Sequence, residues 1–309
     1  VMNKKTGLDE LYASLPFKMT AAQLRCVKEI TDDLSSGVPM NRLLQGDVGS
    51  GKTAVAAAAC YFSYKNGYQS ALMAPTEILA VQHYKTLSGF LEPLGIKTVL
   101  LTGSMTVKEK RAVKDELMSG EAGVAVGTHA IIQKDVEFAS LGLVITDEQH
   151  RFGVSQRAAL ADKGKSPHKL VMSATPIPRT LALIIYGDLD ISVIDEMPAG
   201  RLPVRTYAVT GKLRKRAFNF VRQQLDSGRQ AYIVCPVIEE NESDMLAVKS
   251  YFEKVRGNDF ADYSVGLLHG KMKAAEKESV MEDFKNRRID VLICTTVVEV
   301  GVDIPNASV

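Results

Sequence analysis

Gly46-Asp47-Val48-Gly49-Ser50-Gly51-Lys52-Thr53 packs glycines, an ammonium and a hydroxyl into one short stretch that fits Gly-x-x-x-x-Gly-Lys-[Ser/Thr]. Glycines at Gly46, Gly49 and Gly51, with Asp47 and Ser50 between them, let backbone N–H groups curl around phosphate oxygens. Lys52 then neutralises the β/γ charge, and the Thr53 hydroxyl can ligate Mg²⁺. A helix opening at Lys52 aims the positive end of its dipole at the same anion. Further along, Leu143-Val144-Ile145-Thr146 is an apolar run ending in Asp147-Glu148. In a parallel sheet such a strand end faces the phosphate loop. Asp147 is therefore expected to hold Mg²⁺ through water, and Glu148 to orient and polarise an attacking water. The predicted chemistry is Mg²⁺-dependent hydrolysis of a nucleoside triphosphate.

The surrounding chain has the rhythm needed to position these residues. Leu43-Leu44 leads into the glycine loop, and an Ala-rich helix follows over Thr53–Tyr64. Strands are expected at Ser70–Ala74, Lys97–Leu101, Val124–Val126, Leu143–Thr146 and Leu170–Ser173, with helices over Glu77–Leu91 and Val107–Ser119. Buried parallel strands alternating with helices read as a doubly wound α/β sheet. The rhythm breaks at Asp195–Pro203, where two prolines and a glycine interrupt any periodicity, as a linker would. It restarts with strands at Arg205–Val209, Gln230–Val234, Ser264–Leu268 and Asp290–Thr295, and helices near Leu213–Ser227, Asp244–Val255 and Ala274–Asn286. Two α/β domains are expected, 1–196 and 197–309, the second shorter and without an obvious ending. The halves share this rhythm but no visible internal repeat.

Composition narrows the class. The chain has 309 residues, 46% hydrophobic and 24% charged, with a net charge of +2. That excludes disordered and collagen-like chains and a polybasic protein of the histone kind, while leaving open nucleic acid held on one face. The densest basic cluster, Lys212, Arg214, Lys215, Arg216 and Arg222, reads most simply as a solvated helix face, a phosphate contact being the minority reading. Cys26, Cys60, Cys235 and Cys294 show no Cys-x-x-Cys spacing, so reduced small apolar residues are expected rather than a zinc site. No run approaches a membrane-spanning length, Val1–Glu10 lacks a signal-peptide core, and a cytoplasmic, monomeric protein is expected. The chain opens on Val and stops at Val309 just after a strand-like run, so both ends look cut. Among phosphate-loop proteins, a small-molecule kinase would have one such domain with a lid. A GTPase would carry Asn-Lys-x-Asp, which Asn3-Lys4-Lys5-Thr6 fails. Neither explains a second α/β domain; a two-domain motor does.

Longer motifs support the motor. Asp147-Glu148-Gln149-His150-Arg151-Phe152-Gly153 resembles the DEAD/DEAH-type box of superfamily 2 helicases, in the form typical of the RecG family. Ser173-Ala174-Thr175-Pro176-Ile177-Pro178-Arg179-Thr180-Leu181-Ala182, Tyr186-Gly187-Asp188-Leu189-Asp190 and Ile194–Arg201 resemble further RecG motifs. The related transcription-repair translocase family Mfd typically differs after the Asp-Glu pair and has Phe where Ser50 stands; this chain follows RecG at both places. The resemblance runs from about Leu15 to the end. It implies two RecA-like P-loop NTPase domains with parallel sheets, the second truncated, and an ATP-dependent DNA helicase or duplex translocase acting on stalled forks and Holliday-type junctions. An Mfd-like translocase is the alternative, or an ATP-binding module without efficient hydrolysis.

The resemblance also assigns roles. Leu15-Pro16-Phe17-Lys18-Met19-Thr20-Ala21-Ala22-Gln23 resembles a Q-type motif: Gln23 would read an adenine edge and Phe17 stack on the base, while Thr20 and Gln23 equally form a helix capping box. Ala74-Pro75-Thr76-Glu77, Thr102-Gly103-Ser104 and Gly127-Thr128-His129 follow strands. Pro75, Thr76, Gly103, Ser104, Thr128 and His129 would thus contact a DNA backbone without reading sequence, although Thr76 is also an ordinary helix cap. Ser173 and Thr175 would couple the ATP site to the domain interface, and His150 would report nucleotide state as part of the catalytic set. In the second half, Tyr232–Pro236 resembles motif IV. Leu268-His269-Gly270-Lys271-Met272 resembles a turn that places His269 on DNA. Thr295–Asp303 resembles motif V, with Thr295 on a phosphate and Gly301 and Asp303 reaching the nucleotide. Motif VI, which supplies an arginine finger typically contributing about 10³-fold or more, does not occur before Val309. Nor do the wedge that recognises branched DNA and the C-terminal coupling segment. The expectation is therefore that the chain binds ATP, turns it over poorly, and works with the rest of a parent chain.

Overall fold

The structure is a computed structural model that describes residues 2, 7–147, 166–174, 189–196, 204–236, 242–295, 304 and 306–309. The chain divides into two compact units, Val1–Arg201 and Leu202–Val309.

In the first unit the strands are β1 (Asn41–Gly46), β2 (Gln69–Met73), β3 (Thr98–Leu101), β4 (Val124–Gly127), β5 (Leu141–Asp147), β6 (His168–Ser173) and β7 (Asp190–Ile194). They form one sheet in the order β3-β4-β2-β5-β6-β1-β7, and every pairing is parallel. All carboxyl ends therefore lie along one edge. Register aligns that edge: Leu101 pairs Gly127, Gly127 pairs Met73, Met73 pairs Thr146, Asp147 pairs Met172, and Ser173 pairs Gln45. The helices are α1 (Asp9–Ser14), α2 (Ala21–Leu34), α3 (Lys52–Lys65), α4 (Glu77–Leu91) and α5 (Val107–Ser119). Every residue of α3 from Ala54 to Ser63 is buried. Its alanines let it sit close under the sheet, and a helix apolar on all sides has nowhere else to go.

The expected α/β class and parallel sheet hold. Two expectations about elements do not. β7 was not foreseen, because Asp190–Ile194 mixes Asp and Ser with two isoleucines and a valine; among the described residues it is an edge strand, paired through β1 alone. Its exit is tied back to α2, where the Arg25 guanidinium donates to the Val193 carbonyl (2.9 Å) and to Asp195 (2.8 Å). Arg25 thereby holds the Asp195 carboxyl below its ordinary range. The strand expected at Arg205–Val209 is absent: Val204–Thr210 is exposed and has no ladder partner among the described residues. Its alternating sequence satisfies a strand pattern, but a strand also needs a neighbour.

The second unit holds β8 (Ala231–Val234), β9 (Val265–Leu268) and β10 (Val291–Cys294) in the parallel order β8-β10-β9, with α6 (Arg214–Asp226), α7 (Glu242–Lys254) and α8 (Ala274–Lys285). In the basic cluster Lys212, Lys215 and Arg216 are exposed, as on a solvated helix face, while Arg214 also pairs with Asp259 (2.7 Å) and lies over the Phe218 ring.

The units share more than rhythm. Leu101-Thr102-Gly103-Ser104-Met105-Thr106-Val107-Lys108-Glu109-Lys110 and Leu268-His269-Gly270-Lys271-Met272-Lys273-Ala274-Ala275-Glu276-Lys277 carry Leu, Gly, Met, Glu and Lys at identical spacing. They fold identically too. The Thr102 and His269 N–H groups donate to the sulfurs of Met105 and Met272 (3.4 Å each), and Glu109 and Glu276 accept from the Thr106 and Lys273 N–H groups (2.8 and 3.0 Å). The repeat escapes a sequence reading because its shared positions are few and confined to one turn.

A second shared device anchors each sheet. The buried Gln69 amide donates to the Leu117 and Ala122 carbonyls (2.9 and 2.8 Å) and accepts from the Ser140 N–H (2.9 Å). Gln230 does the same with the Phe284 and Ile289 carbonyls (2.6 and 2.7 Å). Substituting Gln69→Leu keeps the volume but strands the Ala122 carbonyl and the Ser140 N–H, while the Leu117 carbonyl keeps the Gly120 and Ala139 N–H groups (3.3 and 3.2 Å). At about 1–3 kcal/mol for an unsatisfied buried group, with partial relaxation, the first unit is expected to lose about 2–4 kcal/mol. Urea denaturation checks this, and a loss under 1 kcal/mol would contradict it.

Candidate functional site

The glycine loop lies between the end of β1 and the start of α3. Gly51 has φ +88° and offers α3 no side-chain cap. A Cβ there would meet Gln23 Nε2 at 2.2 Å, and one at Gly46 would meet Ser50 Oγ at 2.5 Å, so both positions require glycine. The loop closes on itself through the Ser50 N–H donating to the Asp47 carbonyl (3.1 Å) and the Val48 N–H to Asp47 Oδ1 (2.8 Å). Lys52 Nζ donates to the carbonyls of Gly46 (2.7 Å) and Asp47 (3.1 Å). A phosphate in the loop would add an attraction between opposite charges that the neutral carbonyls do not offer this ammonium. The uncapped helix start and the buried Ser50 Oγ, which has no hydrogen-bond partner among the described residues, fit a phosphate chain.

Thr53 and Asp147 are drawn together by a residue that the sequence reading missed. His83, on α4, places Nε2 2.7 Å from Asp147 Oδ2 and Nδ1 3.4 Å from Thr53 Oγ1. The side chains of His83 and Asp147 are 8% and 11% exposed. A hydroxyl and a carboxylate held on one ring at the mouth of the loop are the donor set that Mg²⁺ takes from a phosphate-loop protein. The signal for His83 lay in the helix pattern. The buried stripe of α4 is Leu79, Ala80, His83, Leu87 and Leu91, with one polar member.

Gln23 lies against the glycine loop. Its Nε2 donates to the Ser50 carbonyl (2.7 Å), its Oε1 accepts from the Thr20 N–H (2.9 Å), and it is 2% exposed. The capping-box reading is realised, and the amide supports the glycine loop from beneath. Phe17 packs edge-on against Phe90 with centroids 5.8 Å apart, and is 42% exposed.

The same sheet edge gathers the strand-end turns. Thr76 caps α4 through the Leu79 N–H (3.5 Å), after Pro75. The Ser104 N–H, expected to face a backbone phosphate, instead donates to Glu77 Oε1 (2.9 Å). The Gly103 carbonyl accepts from Lys110 (2.6 Å), and the Thr102 and Ser104 hydroxyls lie 3.2 Å apart. Thr128 Oγ1 is buried and without a partner among the described residues, whereas His129 is exposed. In the second unit the Thr295 N–H donates to the Leu268 carbonyl (3.1 Å), which sets Thr295 beside His269. Both are buried.

A match to the DEAD/DEAH box helicase family covers residues 20–184. The chain belongs to this family. The helicase conserved C-terminal domain matches residues 215–309. The helicase chain is 52% identical to the ATP-dependent DNA helicase RecG of Bacillus subtilis over 301 residues, covering 96% of this chain and 44% of that one. It is 50% identical to RecG of Escherichia coli K12, covering 97% and 44%. It also matches RecG of Synechocystis at 48% identity, covering 98% and 36%. It thus spans well under half the length of these relatives. A solved structure of RecG bound to a three-way DNA junction superposes with a TM-score of 0.81 at 47% identity, covering 97% of this chain and 39% of that one. S. cerevisiae Dbp5 bound to RNA and ADP BeF3 matches at 0.66 and 18% identity, covering 97% and 78%, a likeness of fold alone.

Of the residues expected to act in the helicase, the first unit brings Gly46, Asp47, Gly49, Ser50, Gly51, Lys52, Thr53 and Asp147 to one place, with Ser173 buried on the intervening strand β6. Glu148, His150, Thr175, Gly301 and Asp303 lie outside the described residues. The four cysteines are free thiols. Burial pushes Cys60 and Cys294 up to about 12 and Cys26 to about 11, as inert core residues should be. Among the described residues no helix is long and apolar enough to cross a membrane.

Proposed function

We propose that the chain is the motor core of an ATP-dependent DNA helicase of the RecG type, moving duplex DNA and so remodelling stalled forks and branched junctions. The observation that carries this reading is the meeting of Thr53 and Asp147 on one imidazole at the mouth of the glycine loop, on the edge where the strand-end turns also lie. Lys52 and the α3 N-terminus bind the triphosphate. Thr53 and Asp147 would hold Mg²⁺, which when bound offsets phosphate charge and orients the β/γ oxygens. Glu148 positions and deprotonates the attacking water, and Ser173, Thr175 and His150 relay the nucleotide state. Thr76, His129, His269 and Thr295 grip the phosphate backbone. Gly301 and Asp303 are assigned a nucleotide-binding role as well. The near-neutral charge supports a grip made by amides and hydroxyls rather than by a basic surface.

ATP and DNA binding should then be coupled. The affinity of the 309-residue chain for a fluorescent duplex is expected to change by roughly five-fold or more on adding a non-hydrolysable ATP analogue with Mg²⁺. It should be insensitive to sequence and weaken with salt. DNA affinity that ignores the nucleotide would reduce the chain to a binding module and end the motor reading.

A further inference from the structure

His83 stands between the two side chains that the reading above gives to Mg²⁺. We propose that His83 is a positioning residue of the nucleotide site: its ring fixes the direction of the Asp147 carboxylate and of the Thr53 hydroxyl, so that both meet the metal in one arrangement. The inference rests on the Mg²⁺–nucleotide reading of this site.

The geometry sets the hydrogen assignments. A carboxylate only accepts, so the contact of 2.7 Å to Asp147 Oδ2 places the ring hydrogen on Nε2. In a neutral ring Nδ1 then carries a lone pair to accept from the Thr53 hydroxyl at 3.4 Å. With its hydrogen turned toward the ring, Thr53 Oγ1 has its lone pairs free for a cation. Asp147 keeps its second oxygen for the same purpose. Outer partners of this kind orient metal ligands, and losing one typically costs about 10–100-fold in metal affinity.

Packing alone does not require an imidazole here. The neighbouring stripe positions Leu79, Ala80, Leu87 and Leu91 are apolar and buried, and an apolar side chain would continue that stripe. What His83 adds is two directed hydrogen bonds to residues on different elements, Thr53 on α3 and Asp147 at the end of β5. Its own helix begins at the Thr76 cap, seven residues or about 10 Å earlier. A shift of that turn therefore moves the ring that aims both ligands.

The test is titration of the 309-residue chain with a fluorescent ATP analogue across a series of Mg²⁺ concentrations and in EDTA. His83→Ala is expected to raise the half-saturating Mg²⁺ concentration about ten-fold, with EDTA affinity within two-fold of the unsubstituted chain. His83→Gln, whose Nε2 can still donate to Asp147, is expected to recover most of that loss. Unchanged Mg²⁺ dependence in His83→Ala overturns the proposal. So does an equal loss with and without Mg²⁺ in both variants, which would mean a packing role. If the unsubstituted chain binds no nucleotide at all, the site reading itself falls and takes the proposal with it. If it binds with Mg²⁺ dependence while His83→Ala matches it, only the proposal falls.

Discussion

Lys52→Ala is expected to weaken nucleotide binding by the chain at least 100-fold while leaving the fold intact. The ammonium rests on the Gly46 and Asp47 carbonyls, so it already sits within hydrogen-bonding distance of the loop that would surround the phosphates. A hydrogen bond to a charged group is worth about 1.5–3 kcal/mol. Lys52 would make more than one, to oxygens of the most highly charged part of the ligand. Truncation also leaves that phosphate charge facing a loop with no cation. The stability cost is small, because Asp47 is exposed and water replaces Lys52 at its carbonyl. A titration with a fluorescent ATP analogue, paired with a thermal melt, separates the two effects. Affinity within three-fold of the unsubstituted chain would remove Lys52 from the site.

Much of this site could be read from sequence because its chemistry is local. A phosphate loop is made of consecutive residues whose backbone does the binding, and an apolar strand ending in Asp147 announces its position in a parallel sheet. What could not be read depends on contacts between elements. His83 reaches Thr53 and Asp147 across 30 and 64 residues of chain, and nothing near it in sequence names those partners. Gln23 shows the intermediate case. Its capping box was visible because it spans one helical turn, but its Nε2 contact to Ser50 needed α2 packed against α3. The edge strand β7 escaped because an edge needs only one good face. The exposed run Arg205–Val209 was misjudged because strand propensity does not supply a partner. The Ser104 N–H bond to Glu77 was out of view because the carboxylate lies 27 residues away. The two-unit α/β architecture survived all of this, since it rests on many elements at once.

Glu148→Gln should separate binding from turnover. Glu148 directly follows Asp147, whose carboxylate is held by His83 at the end of β5. The substitution keeps volume and hydrogen-bonding reach but removes the negative charge that accepts a proton. Nothing in the proposed phosphate or Mg²⁺ contacts depends on that charge. Affinity for Mg²⁺–ATP is therefore expected to stay within about two-fold. Loss of a general base costs about 10²–10⁴-fold, so single-turnover hydrolysis, with the chain in excess over labelled ATP, is expected to fall by at least 10². Lys52→Ala and Glu148→Gln then form a pair of opposite signature, one losing the ligand and the other keeping it unhydrolysed. Turnover by Glu148→Gln equal to that of the unsubstituted chain would take Glu148 out of the chemistry and leave Asp147, with its His83 support, as the only carboxylate at the loop with an assigned task. A Glu148→Gln chain that failed to bind ATP would instead mean that its carboxylate belongs to the Mg²⁺ set with Asp147 and Thr53. The general base would then have to be sought elsewhere.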